Sequence, residues 1–214
     1  MSSPDTAGEC VAMDQGTYDA VDLNDFVEES RYKFLTGSVV PRPIALVTSV
    51  GKSGVLNAAP YSQFVIVSVT PPLLGIVAHE GEHGQKDTVR NILETGEFVI
   101  NTVSERMANQ VQQCAEPYPP EISEVTEVGF HTLPSLKVGP PRVAESPLHF
   151  ECKLHRTIDF GVPKSRTMLV VGEVVMVHCA EGVRAGHRID HLRFNPLGRI
   201  AGRSYCKTGD TLNV

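Results

Sequence analysis

The sequence predicts a mainly β, α+β fold: one domain built as a barrel with short helices at its rim. Three observations predict it. Apolar residues recur in short runs punctuated by Gly and Pro, not in long helical periods. Only two interior stretches carry convincing helical spacing. Strand and helix do not alternate regularly, and no G-x-G-x-x-G follows a first strand, so a doubly wound dinucleotide fold is not expected.

The elements follow in chain order. Residues 1–30 read as a partly flexible N-terminal extension, separate from a domain over 31–214. Its second half is acidic (Asp19, Asp22, Asp25, Glu28, Glu29), with a short helix expected near Leu23–Ser30. Ile44–Val50 alternates as a strand, Gly51–Gly54 turns the chain, and Val55–Ala59 returns as a hairpin. Phe64–Val69 and Leu73–Ala78 are further strands, separated by Pro71-Pro72. Asp87 is expected to cap a helix carrying Val89, Ile92 and Leu93 on one face, with Gly96 at its end. Phe98–Val103 is a strand and 104–115 a helix. A polar loop runs from Tyr118 to about residue 140. His149–Phe160 and Thr167–Cys179 are long strands, and Arg199–Tyr205 holds a last short one.

Bulk properties exclude several classes. With 214 residues, 41% hydrophobic and 21% charged, the chain can bury a core of ordinary size. A net charge of −6 argues against nucleic acid as a partner, since phosphate backbones need a basic face. No run of about 18 apolar residues occurs, so no membrane span is expected. No secretory signal is visible. The five cysteines are odd in number and scattered, without C-x-x-C, which suits a reducing cytoplasm.

Four constellations could carry chemistry. His79-Glu80-Gly81-Glu82-His83 matches the zinc motif H-E-x-x-H, but that chemistry needs a helix. Here the motif follows a strand and contains Gly81, so a polar surface loop is expected and no metal. Lys86-Asp87-Thr88 with Asn91 opens a helix, where free N–H groups and a lysine suit a phosphate; a plain capped helix is the alternative. Asn57-Ala58-Ala59-Pro60-Tyr61-Ser62-Gln63-Phe64 sets small residues beside a proline, so a flat ring could approach the backbone; the alternative is a strand end and turn. His187 and His191 stand at i, i+4 and read as a pocket wall, as metal ligands or, more commonly for such a pair, as a solvated helix face. Arg199 and Arg203 could reach an anion. Cys114 has no base nearby in sequence, and no G-x-S-x-G or Walker sequence occurs.

Taken together, these segments resemble the flavin reductase-like domain, an FMN-binding split barrel that includes the flavoredoxins. Pro41-Arg42-Pro43-Ile44-Ala45-Leu46-Val47-Thr48-Ser49 is similar to its first strand, and Asn57–Phe64 to its signature turn. Pro71-Pro72, Lys86-Asp87-Thr88, Asn91-Ile92 and Thr95-Gly96-Glu97-Phe98-Val99 follow in the family's order. So do Pro141-Arg142-Val143, Glu145-Ser146-Pro147, Glu151-Cys152, Gly172-Glu173-Val174-Val175, Leu197-Gly198-Arg199 and Tyr205. The resemblance spans about residues 30–208.

It implies a homodimer holding FMN, with FAD the alternative, and NAD(P)H as co-substrate. Thr48, Ser49, Asn57, Ala59, Pro60, Tyr61 and Ser62 would face the flavin, with Arg42 and Ser68 as extra contacts. Lys86, Asp87, Thr88 and Asn91 would serve the phosphate. His191, Arg199 and Tyr205 would border the substrate pocket. The implied activity is NAD(P)H:FMN reduction, feeding a partner monooxygenase. An electron carrier and an FMN enzyme acting on a small organic substrate are the alternatives. Because flavin itself accepts the hydride, no catalytic side chain is needed.

Overall fold

A computed structural model describes residues 18–80, 84–162 and 166–208. A 3-10 turn (Leu23–Asp25) leads into helix α1 (Glu28–Ser38). Then come β1 (Ala45–Val50), β2 (Leu56–Tyr61), β3 (Phe64–Ser68), β4 (Leu73–His79), α2 (Asp87–Thr95) and β5 (Glu97–Thr102). α3 (Ala108–Gln113), α4 (Glu124–Glu127), β6 (Thr132–Leu133) and β7 (Arg142–Val143) precede the two long strands β8 (Leu148–Asp159) and β9 (Thr167–Cys179). The chain continues through β10 (Arg184–Ala185), β11 (Arg188–Ile189), α5 (His191–Phe194), β12 (Leu197–Arg199) and β13 (Tyr205–Lys207).

Seven strands form one antiparallel sheet in the order β2-β1-β5-β8-β9-β4-β3. The sheet curls, because one core cluster draws side chains from nearly all of it. Ala45 and Val47 (β1), Tyr61 (β2), Ile76 (β4), Phe98 and Ile100 (β5), Cys152 (β8) and Val170 (β9) meet there, closed off by Val89 and Ile92 of α2. Edge strands β2 and β3 do not pair with each other, so the barrel is split. Alternation along β1 and β2 sends Leu46 and Ala58 outward, into a second cluster with Met107, Val111, Val125, Phe130 and Val143. The barrel interior is tightly filled: a Cβ on Gly172 would stand 2.3 Å from the Phe98 ring.

Several boundaries differ from expectation, each for a local reason. Asp87 is not the N-cap. Lys86 takes that position, no side chain caps the helix, and Asp87 pairs with Arg90 one turn on. An acid in the first turn still suits the positive end of the helix dipole. Gly96 does end the helix, with φ +73°. The stretch 104–115 divides into a 3-10 turn (Glu105–Met107) and α3. The polar loop contains α4 and β6. The tail makes two strands, β12 and β13, instead of one. The expected N-terminal helix lies later, and α1 runs across position 30. Residues 1–17 lie outside the described residues, as does Cys10.

Candidate functional site

The residues singled out from sequence separate into two groups, on opposite faces of β2. Pro60 and Ser62 point outward; Asn57, Ala59 and Tyr61 point toward the barrel interior and α2.

The outward group lines a cleft of about 270 Å³. Arg42, Pro60 and Ser62 meet Arg199, Gly202 and Tyr205 there, so residues from distant parts of the chain converge. Pro60 suits this place, because β2 is an edge strand and its missing N–H interrupts no ladder. Arg42 is 8% exposed and anchors the cleft wall. Its guanidinium donates to the carbonyls of Thr36, Val39 (2.9 Å) and Ile200 (3.0 Å), and its Nε to the Ser62 hydroxyl at 3.4 Å. It thus ties α1 and the terminal hairpin to the signature turn. The Arg199 guanidinium lies over the Tyr205 ring, 4.6 Å from its centroid. The Tyr205 hydroxyl and Arg199 both donate to Gln112 Oε1, at 2.8 and 3.1 Å.

The inward group forms a buried polar network where α2 meets β1 and β2. Asn91 donates to the Ser49 hydroxyl at 3.2 Å. Asn57 contacts the Thr88 hydroxyl at 2.7 Å. Its amide satisfies both neighbours when Nδ2 donates to Glu124 at 3.2 Å and Oδ1 accepts from Thr88. Glu124 also accepts the Ala58 N–H at 2.9 Å, which covers the free edge of β2. Burial pushes the Glu124 carboxyl above its ordinary value; the Ala58 N–H opposes that rise and the Asp87 carboxylate adds to it. The Tyr61 hydroxyl is buried without a hydrogen bond of good geometry, although the Thr88 hydroxyl stands close by. Burial pushes it up to about 12.

The remaining expected residues are scattered. Thr48 is fully buried and donates to the Pro141 carbonyl at 2.7 Å. Ser68 is half-buried beside an apolar groove of about 530 Å³. Lys86 is exposed at the start of α2. His187 sits between β10 and β11 and His191 opens α5, so the two share no helix, and neither reaches the cleft. Arg203 pairs with Glu116 at the surface.

His79 ends β4 and bonds Gln63 (2.6 Å) and Thr167 (3.0 Å), with Tyr32 edge-on to its ring. Burial lowers its pKa. His83 lies outside the described residues, among which no three His, Cys, Asp or Glu side chains cluster as metal ligands. Burial likewise pushes the Cys114 thiol up to about 12, which makes it inert.

Sequence reasoning missed Tyr32, Thr36, Gln112 and Glu124. Tyr32 and Thr36 belong to a helix with little amphipathic pattern, and Gln112 and Glu124 each meet their partners only through long-range contacts. The pair Ser123-Glu124 ahead of Val125 and Val128 was the one local hint of a helix inside the loop.

The donors present suit the two ends of a flavin nucleotide. The N-terminus of α2 has no side-chain cap, and Lys86 makes no ion pair among the described residues, so together they offer donors for a phosphate. Arg42, Arg199 and small residues at the cleft offer a place for a ring.

The family model "Flavin reductase like domain" matches residues 36–198. The crystal structure of nitrilotriacetate monooxygenase component B from Bacillus cereus is 36% identical with a TM-score of 0.89, covering 93% of this chain and 100% of that one. The 2-nitrobenzoate 2-nitroreductase of Pseudomonas fluorescens is 37% identical with a TM-score of 0.83, covering 92% and 95%. YwrF of Bacillus subtilis is 40% identical over 189 residues, 86% of this chain and 91% of its own. Flavoredoxin of Desulfovibrio vulgaris, at 22% identity and a TM-score of 0.71, shares the fold. The signature turn, the α2 start and the terminal hairpin all fall within or beside the matched region, and the chain belongs to the flavin reductase-like domain family.

Proposed function

We propose that the protein is an NAD(P)H:FMN oxidoreductase that works as a homodimer and supplies reduced flavin to a partner monooxygenase. The observation that carries this reading is the cleft joining Arg42, Pro60 and Ser62 to Arg199 and Tyr205, in a chain that superimposes on all of a monooxygenase component B. Pro60, Ser62, Arg42, Arg199 and Tyr205 would hold the ring end of FMN, and Lys86 with the α2 N-terminus its phosphate. Ser49, Asn57, Ala59, Tyr61, Thr88 and Asn91 would support that seat from behind, and Thr48 would fix β1 against Pro141. Bound FMN supplies the hydride chemistry. The protein's part is to orient the reactants, and its two arginines favour negative charge near the ring. Four described cysteines are free, in keeping with a reducing cytoplasm.

The dimer reading is supported by edge strand β3. Val65, Ile66 and Val69 are 51%, 71% and 83% exposed, beside the apolar groove lined by Phe64, Leu74, Phe150 and Val177. Unpaired edges and apolar patches of this kind call for a cover.

The identity to a nitroreductase favours a second reading, in which bound FMN reduces a small nitroaromatic acid. One experiment separates them. The purified protein is loaded with FMN, and its visible spectrum is followed anaerobically after NADH, then NADPH. Rapid bleaching, with reduced FMN released to the medium, is the expected result. Bleaching reversed by 2-nitrobenzoate, with no release, would favour the second reading. A protein that binds no FMN would overturn both.

A further inference from the structure

We propose that a groove between β7, the end of β9 and β10, lined by none of the cleft residues, binds an oxyanion: a carboxylate or phosphate group of a small molecule. The groove measures about 560 Å³ and is lined by Arg142, Val177, His178, Cys179 and Arg184. No carboxylate lines it, and neither arginine has an ion-pair partner among the described residues. In a chain of net charge −6, two guanidiniums with no ion pair among the described residues make a local field that favours anions, while the imidazole beside them is already paired with Glu151.

The cations are held, not loose. Arg142 donates through Nε and Nη2 to the Pro134 carbonyl, at 3.1 and 3.0 Å. Arg184 Nη1 donates to the Gly186 carbonyl at 2.6 Å. His178 Nε2 contacts Glu151 Oε1 at 2.5 Å, and Nδ1 makes no hydrogen bond within the described residues. Each guanidinium therefore keeps donor capacity after its internal bond is made, whereas His178, with its Nε2–H spent on Glu151, donates from Nδ1 only as the imidazolium.

The platform beneath them is rigid. Glu151 is fully buried and accepts the N–H groups of Leu136 (2.8 Å) and Lys137 (2.6 Å). His149 Nε2 donates to the Val143 carbonyl at 2.8 Å, and its ring meets His178 edge-on at 6.2 Å. The segment 134–143 is thus fastened to β8 at both ends, which fixes Arg142 relative to His178. Preset donors of this kind cost little ordering entropy when an anion arrives. Val177 also lines the apolar groove beside β3, so an anion held here could belong to a larger ligand with an apolar body.

The test uses the full-length FMN-loaded protein. It is titrated calorimetrically with inorganic phosphate and with benzoate, at ionic strength fixed with chloride. Saturable binding of at least one is expected, weakened about tenfold or more in Arg142→Gln and in Arg184→Gln. It should be unchanged in Arg156→Gln, an exposed arginine on β8 that does not line the groove. Phosphate binding alone assigns the ligand to phosphorylated molecules, benzoate binding alone to organic acids, and binding of both to oxyanions at large. Arg184 is exposed, so its variant folds even if Arg142→Gln does not. The proposal fails if neither anion binds, if binding survives in Arg184→Gln, or if Arg156→Gln weakens it equally. None of these outcomes bears on FMN binding, which the visible spectrum reports separately.

Discussion

Glu124 joins a strand edge to a titration. Its carboxylate is 8% exposed and holds Ala58 N–H and the Asn57 amide, so Glu124→Ala strands a buried donor and costs about 1–3 kcal/mol. Urea denaturation measures this. The pH dependence follows from the direction of its shift. Its pKa is raised in the folded state, so folding favours the protonated form. That stabilisation is complete below the ordinary carboxylate value and is lost as pH rises through the folded-state value. Glu124→Gln keeps an acceptor for Ala58 and removes the titration. Its stability should show a flatter pH profile between those two values; an unchanged profile would assign the slope to other groups. At this scale the sequence was partly legible. Asn57 was read with the signature turn and Thr88 and Asn91 with the phosphate end, and the structure brings them together where α2 meets β1 and β2; Glu124, which completes the network, lies 66 residues beyond Ala58. No local pattern links them.

At the scale of elements, two segments can each be probed at one residue. Glu151 holds the part of segment 134–143 around Leu136 and Lys137, while Thr48, Glu97, Asn101 and His149 hold its later part. Burial alone would raise the Glu151 carboxyl, yet the Leu136 and Lys137 N–H groups and His178 hold it below its ordinary value. The sign is therefore opposite to that of Glu124: stability is present above the ordinary carboxylate value and lost as pH falls through the folded-state value. Glu151→Gln should speed hydrogen exchange at the Leu136 and Lys137 amides, with little change at Val99, deep in the sheet. Equal protection in variant and wild type would show the loop to be held by other means. Strand β3 is the second case. Ile66→Lys places a charge on the exposed edge. If the proposed dimer forms through this edge, sedimentation should report dimer for the wild type and monomer for the variant, and a variant that stays dimeric would place the interface elsewhere. β3 was visible in sequence as Phe64–Val69, but its position at the sheet edge was not. Edge and centre differ in neighbours, and neighbours come from topology.

For the whole molecule, stability and cofactor are linked. A ligand that binds only the folded state adds about 2.7 kcal/mol at a concentration 100 times its Kd. For a chain of this size that corresponds to a rise in Tm of roughly 5–10 °C. Thermal melts with and without excess FMN should show it, and should show a smaller rise in Arg199→Ala, which removes a cation from the cleft. A rise of the same size in that variant would place the ring elsewhere. The same scale shows that the H-E-x-x-H spelling begins at the end of a strand, while residues 81–83 lie outside the described residues. His79 is the last residue of β4, paired with Thr167 of β9, and its ring is already engaged by Gln63 and Thr167.

The sequence by itself determined the succession of the seven sheet strands, the two interior helical stretches, the C-terminal glycine of α2 and the family. These rest on local periodicity and turn chemistry, which act over a few residues. Tertiary structure alone decided which edges stay open, that the flavin-type residues divide between the two faces of β2, and that α4 rises inside a polar loop to cover Ala58. It also decided that Arg42 binds three carbonyls at the cleft wall, and that Arg142, His178 and Arg184 share one groove. Those outcomes depend on contacts between residues tens to more than a hundred positions apart. The free energy of such contacts comes from burial and pairing after the sheet has curled, and no stretch of sequence encodes it locally.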